Sequence, residues 1–272
     1  MNRRAIATLI RRDLKIVLQS KGVTIPLIIV PVIMLIVLPG LAALAPLAED
    51  ASGGAMSDLT TMLAQMPASL QAQFAGYSLA ESIVILAVVY LMAPMYLIVP
   101  LMVASVIAAD SFAGEKERKT LEALLYTPIT DRDLFVAKLL SAWLPAVAVA
   151  WGGFVLYSVV ANIAGWPTMG RVFFPNWMWV ALAFWVAPAV AGLGLAATVI
   201  VSARVKSFQE AYQLGAIVVL PVVALLIAQG AGVMYFSLGL VMALGLVVWL
   251  IDAALIWYGS RSFRRTDLLS QL

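Results

Sequence analysis

The stretch DSFAGEKERKTLEALLYTPITDRDLFVAK, residues 110–138, holds eleven charged residues, six acidic and five basic. On either side the charges vanish: Ile83–Ala109 and Leu139–Gly165 contain none. A bilayer core of about 30 Å needs about 20 apolar residues at about 1.5 Å each, and both flanks exceed that. A solvated segment between two such runs reads as a loop joining two membrane-spanning helices. Further apolar runs cover about 23–45, 177–201, 214–230 and 235–260, the last interrupted only by Asp252. Runs five and six are separated by Ala231–Met234 alone, which reads as a tight hairpin. The expected fold is therefore all-α: a polytopic membrane protein with six transmembrane helices (about 23–45, 83–109, 139–165, 177–201, 214–230 and 235–260), forming a single transmembrane domain over 1–272.

Composition agrees. Hydrophobic residues make up 64% of the 272 and charged residues 11%, against about 25% charged in a typical soluble domain. The chain has neither Cys nor His. That excludes disulfides, thiolate or imidazole metal sites, c-type haem attachment and Ser-His or Cys-His nucleophile pairs. No G-x-x-x-x-G-K-[ST] stretch is present, so ATP has no phosphate loop here. No catalytic residue, metal or cofactor is expected in this chain, and no nucleic-acid partner.

The N-terminus is basic, then apolar, and Ala43-Leu44-Ala45 looks like a cleavage site. The apolar run is too long for a signal-peptide core of about 7–15 residues, and Pro46 follows the cut. The segment reads as a retained first span. Lys and Arg give its orientation. Arg3, Arg4, Arg11, Arg12, Lys15 and Lys21 precede the first span, five basic residues lie in 110–138, Arg204 and Lys206 follow the fourth, and Arg261, Arg264 and Arg265 follow the sixth. The loop 46–82 has none and 166–176 only Arg171. Sixteen of seventeen basic residues thus fall on one side, so the positive-inside rule puts both termini in the cytoplasm. An odd number of spans would destroy this alternation.

Three pieces lie outside the bilayer. Within residues 1–22, Ala5, Ile6, Leu9, Ile10, Leu14, Val17 and Leu18 recur at helical spacing with basic residues on other faces. This predicts an interfacial amphipathic helix bound to membrane lipid; the plainer reading is a retention signal. In the extracytoplasmic loop 46–82, Leu59, Met62, Leu63, Met66, Leu70 and Phe74 make an approximate helical stripe, better suited to packing than to a ligand. The cytoplasmic segment 110–138 predicts a helix over Glu115–Tyr126, with acids in its first turn and Pro128 ending it. Thr120, Leu121, Leu124 and Leu125 give it a small apolar face between charges. That face suits docking onto another protein, the plainer alternative being a connector.

Within the spans, Pro26, Pro31, Pro39, Pro94, Pro100, Pro145, Pro188 and Pro221 read either as kinks that allow rearrangement or as ordinary membrane-helix composition. Asp252 is the acid well inside a span, a candidate pathway residue or interhelical polar partner. A single such acid argues against a proton or sodium relay. Trp143, Trp151, Trp177, Trp179 and Trp257 read as an interfacial belt. Gly192, Ala196, Gly239 and Ala243 read as close helix contacts.

The stretch FAGEKERKTLEALLYTPITDRDLFVAKLL resembles the type-2 ABC transporter permeases, the exporter family. The resemblance lies in Glu115, Glu117, Arg118, Thr120, Leu121, Glu122, Leu124, Leu125, Pro128 and Lys138, in residue type and spacing. The basic N-terminal helix and the six spans extend it over essentially the whole chain. SARVKSFQEAYQL, residues 202–214, is similar to the family's second cytoplasmic contact, giving Arg204, Lys206, Phe208 and Glu210 as candidates. The resemblance implies a permease subunit of an ATP-driven exporter in a prokaryotic cell membrane. Two copies, or this chain and a related one, would form the pathway, with two separate ABC ATPase subunits binding ATP and Mg. Glu115, Glu117, Arg118, Thr120, Leu121, Glu122, Leu124 and Leu125 would form the coupling helix between spans two and three. The alternatives are a non-transporting membrane subunit of a complex and an autonomous secondary transporter. The latter should show inverted repeats or several intramembrane charges.

Overall fold

The computed structural model describes residues 21–47, 53–66, 71–72, 74–118, 131–202, 204–205 and 207–262, with 7–8, 10–12, 15 and 19 nearer the N-terminus. Every regular element among them is helical. Six helices are long and apolar enough to cross a bilayer: Thr24–Leu47, Leu79–Glu117, Val136–Met169, Trp177–Ser202, Phe208–Gly230 and Leu238–Trp257. Spans two and four form the centre of the bundle. The apolar stretches of these two are 72% and 61% buried, against 22%, 17% and 22% for spans one, five and six.

All six expected spans are present, with shifted ends. The second helix does not stop at 109 but continues through a π-helical turn, Asp110–Gly114, to Glu117. No proline stands between Pro100 and Pro128 to stop it. The third helix begins early, at Asp131, and runs 39 residues to Met169. The fifth starts at Phe208, where Ser207 caps it by accepting from the Glu210 N–H at 3.2 Å. The sixth starts at Leu238 rather than 235. Tyr235 and Phe236 are instead buried in the irregular approach to it, and the turn before them needs Gly232 at φ 70°.

Three of the π-helical turns end just before a proline: Ile33–Val37 before Pro39, Leu86–Leu91 before Pro94, Leu182–Val186 before Pro188. Proline offers no N–H and crowds the carbonyl four residues back, so the preceding turn opens. Carbonyls freed this way cannot turn to water inside a bilayer. Side chains from neighbouring spans reach them. In span two, the carbonyls of Val88 and Val89 accept from the Tyr157 hydroxyl at 2.5 Å and the Trp179 indole at 2.7 Å. The carbonyl of Tyr90, four residues before Pro94, also takes a side-chain donor from Gln229. In the amide orientation that satisfies its surroundings, Gln229 donates to Tyr90 O at 3.1 Å and accepts from Phe236 N at 3.2 Å. In span four, Ala183 O accepts from Trp151 and Trp185 O from Trp249, and Pro188 O accepts from Trp143.

The tryptophans therefore correct the belt expectation in part. Trp179 is fully buried, and Trp143 and Trp151 donate inward. Trp177 and Trp257, 79% and 58% exposed, fit a belt. The small-residue expectation also divides. Gly192 and Ala196 are buried, whereas Gly239 and Ala243 face outward.

At the end away from the basic residues, the outer helix Gly53–Gln65 packs over the bundle. Met66 and Phe74 are buried, and Leu59, Met62 and Leu63 lie against the core, as expected for a packing stripe; Leu70 falls outside the described residues. Tyr90 meets the tilted ring of Phe74 at 6.1 Å and Tyr235 edge-on at 6.2 Å. Ser78 and Glu81 form a reciprocal capping box for the second helix, and Arg171 reaches Glu81 at 3.8 Å while lying over the Tyr77 ring.

Candidate functional site

The basic end of the bundle gathers segments that lie far apart in sequence. Where span two leaves its apolar run, a π turn presents Asp110 and then Glu115 toward the protein rather than outward. Glu115 is 3% exposed and Lys138, two turns into the third helix, is 2% exposed. Their side chains meet at 2.5 Å, and the same ammonium donates to Ser111 O at 2.6 Å. A buried charge needs this: unpaired, either would be strongly disfavoured. On the other carboxylate oxygen, Arg12 of the N-terminal segment stands at 3.6 Å. Beside it, Ile10 packs on Leu134, Ala137 and Leu140 of the third helix. Arg12 thus reaches a protein carboxylate.

One residue further on, contacts run to the segment between spans four and five. Lys116 Nζ donates to Val205 O at 3.3 Å. The Phe208 N–H donates to Glu117 Oε2 at 2.8 Å. Glu117 therefore sits at the N-terminus of the fifth helix, where unpaired N–H groups and the helix dipole favour an anion. Ala109, Ala113, Val205 and Ala211 bury a small apolar cluster below, with Phe208 and Tyr212 stacked against it at 6.2 Å. Arg118 folds back on its own helix, donating to Asp110 Oδ1 at 3.0 Å.

Of the predicted residues, Glu115 is buried within this lattice, while Glu117 and Arg118 remain exposed on its rim with Arg204 and Glu210. The two cytoplasmic contacts predicted separately are brought together through Glu117 and Phe208. Thr120, Leu121, Glu122, Leu124, Leu125 and Lys206 lie outside the described residues. Sequence reasoning missed the parts played by Arg12, Asp110, Lys116 and Ser207. The charges were visible, but only the fold could show that residues 12, 115 and 138 converge. Asp252 stands apart from this lattice, 1% exposed on the sixth span.

Arranged like this, four chain segments share one rigid knot at the point where spans two, three, four and five emerge. Among the described residues it holds no nucleophile with an adjacent base.

The family model described as ABC-2 family transporter protein matches residues 7–260. No curated protein and no solved structure matches the chain.

Proposed function

The chain belongs to the ABC-2 family of transporter proteins, and from that premise we propose that it is the membrane-spanning permease of an ATP-driven exporter. In this reading the basic end faces the cytoplasm of a prokaryotic cell. Two copies, or this chain with a related one, line the pathway. Two separate ATPase subunits bind ATP and Mg beneath them.

The observation that carries the reading is the knot at the basic end. Glu115 ties spans two and three to the N-terminal segment, and Glu117 ties span two to the start of span five. Closure of the ATPases on ATP would press on residues 117–130, with Thr120, Leu121, Glu122, Leu124 and Leu125 as the contact face. Glu115 would act behind that face as an internal strut, passing the movement to the spans. Packed interfaces of this kind switch between discrete arrangements. Arg204, Lys206, Phe208 and Glu210 would supply the second contact. Asp110–Arg118 would stiffen the last turn of span two.

The test reconstitutes the partner ATPase with this chain in lipid and compares wild type with Glu117→Ala and Leu121→Asp. The expected result is that the ATPase copurifies with wild type. Leu121→Asp should abolish copurification, and Glu117→Ala should keep binding while losing substrate-dependent ATP hydrolysis. An ATPase that never associates, or variants that both behave as wild type, would leave residues 110–138 as a connector and overturn the reading.

A further inference from the structure

Asp252 has no counterpart in the coupling knot, and its surroundings are unusual for an acid. It is 1% exposed, and neither carboxyl oxygen has a hydrogen-bond partner. Its space comes from a missing side chain. A Cβ built on Gly192 of span four would stand 2.5 Å from Asp252 Oδ2 and 3.1 Å from its Cγ. The carboxyl occupies a notch that only glycine leaves open.

Nothing charged faces that notch among the described residues. The fourth span and its approach, residues 177–202, pack along the sixth helix and contain no Asp, Glu, Lys, Arg, His or Tyr. Their hydroxyls, Thr198 and Ser202, lie about 9 and 15 Å further along the helix from Gly192, and Thr198 Oγ1 points at Gly215 of the fifth helix. The indole N–H of Trp249, one turn before Asp252, is committed to Trp185 O at 3.2 Å. On the sixth helix itself the other ionisable residues are Tyr258 and Arg261, six and nine residues on, with side chains outside the described set.

A carboxylate in that position would have, among the described residues, neither a cation nor a donor to hold its charge. We propose that Asp252 is a single-proton site in the interface of spans four and six, loaded while the two helices are packed and able to discharge only when they part. Unloading breaks the O–H bond and passes the proton to water that enters the notch. The carboxylate left behind then opposes repacking until it is reprotonated. The site is one acid, not a relay, and the proposal holds whether or not the chain works in export.

The experiment is infrared spectroscopy of the full chain in lipid bilayers, taken as the difference between wild type and Asp252→Asn. At pH 7 wild type should show the carbonyl stretch of a protonated carboxyl, sensitive to deuterium exchange and absent from the variant. Gly192→Ala should wedge the helices, admit water, and lower the pH at which the band disappears by about one unit or more. A carboxylate band alone at pH 7 overturns the proposal, and an unchanged titration in Gly192→Ala overturns the role of the notch. A second measurement needs no variant: dicyclohexylcarbodiimide, which attacks protonated carboxyls in apolar surroundings, should leave an adduct on the peptide bearing Asp252. Should Asp252→Asn fail to fold, that adduct decides: its presence at pH 7 supports the site, and its absence sinks it.

Discussion

At the scale of single residues, the Glu115–Lys138 contact separates what a buried ion pair does from what it contributes. Both side chains are almost wholly buried and meet directly. Removing one partner leaves the other charge stranded, at a cost of about 3–5 kcal/mol, whereas replacing both with apolar groups is far milder. Lys138→Met is therefore expected to destabilise the chain strongly, and Lys138→Met with Glu115→Leu to recover much of the loss. Thermal unfolding of the four members of this cycle in detergent checks it; strict additivity would mean the two charges do not depend on each other. The sequence displays both residues, and the resemblance singles them out, but as a docking acid and a span-opening lysine. That they form one buried pair across 23 positions is a tertiary fact. Neither helical spacing nor charge patterning reports what a side chain meets on another helix.

At the scale of elements, the prolines turn out to have a definite local consequence. Three of them follow a turn widened to π geometry, and carbonyls in these turns accept from Tyr157, Trp179, Gln229, Trp151 and Trp249. Gln229→Ala should remove a side-chain donor from the Tyr90 carbonyl and the acceptor of the Phe236 N–H, costing about 1–3 kcal/mol. Pro94→Ala restores an N–H that can serve Tyr90 O from within the helix. The double variant Gln229→Ala with Pro94→Ala should thus lose less than the sum of the two, and unfolding midpoints of the pair measure the coupling. Additive losses would mean that Gln229 serves some other group. Span number and span centres were legible because a bilayer imposes length and apolarity on each segment separately. Helix ends were not, since charged residues past the bilayer are as compatible with helix as with loop: the second helix ran on to Glu117. The tryptophans misled for a related reason. An indole suits a membrane interface and a freed carbonyl equally well, and only the neighbouring helix distinguishes them.

For the molecule as a whole, the absence of cysteine makes topology directly measurable. Asp58→Cys on the outer helix should react in intact cells with a maleimide that cannot cross the membrane. Glu117→Cys and Glu210→Cys, exposed at the basic end, should react only after permeabilisation; the reverse pattern would invert the orientation drawn from Lys and Arg. The bundle's centre has a further consequence, which concerns its making. Val88 and Val89 have their carbonyls satisfied by side chains 69 and 90 positions later. Tyr90 must wait for Gln229, 139 positions later by their numbers. A ribosome adding about 5–20 residues per second needs about 7–28 s to cover that distance. For that interval span two is in being without the side-chain partner that Gln229 supplies. The innermost helix of the finished bundle is thus completed only after the nascent chain supplies spans three, four and five.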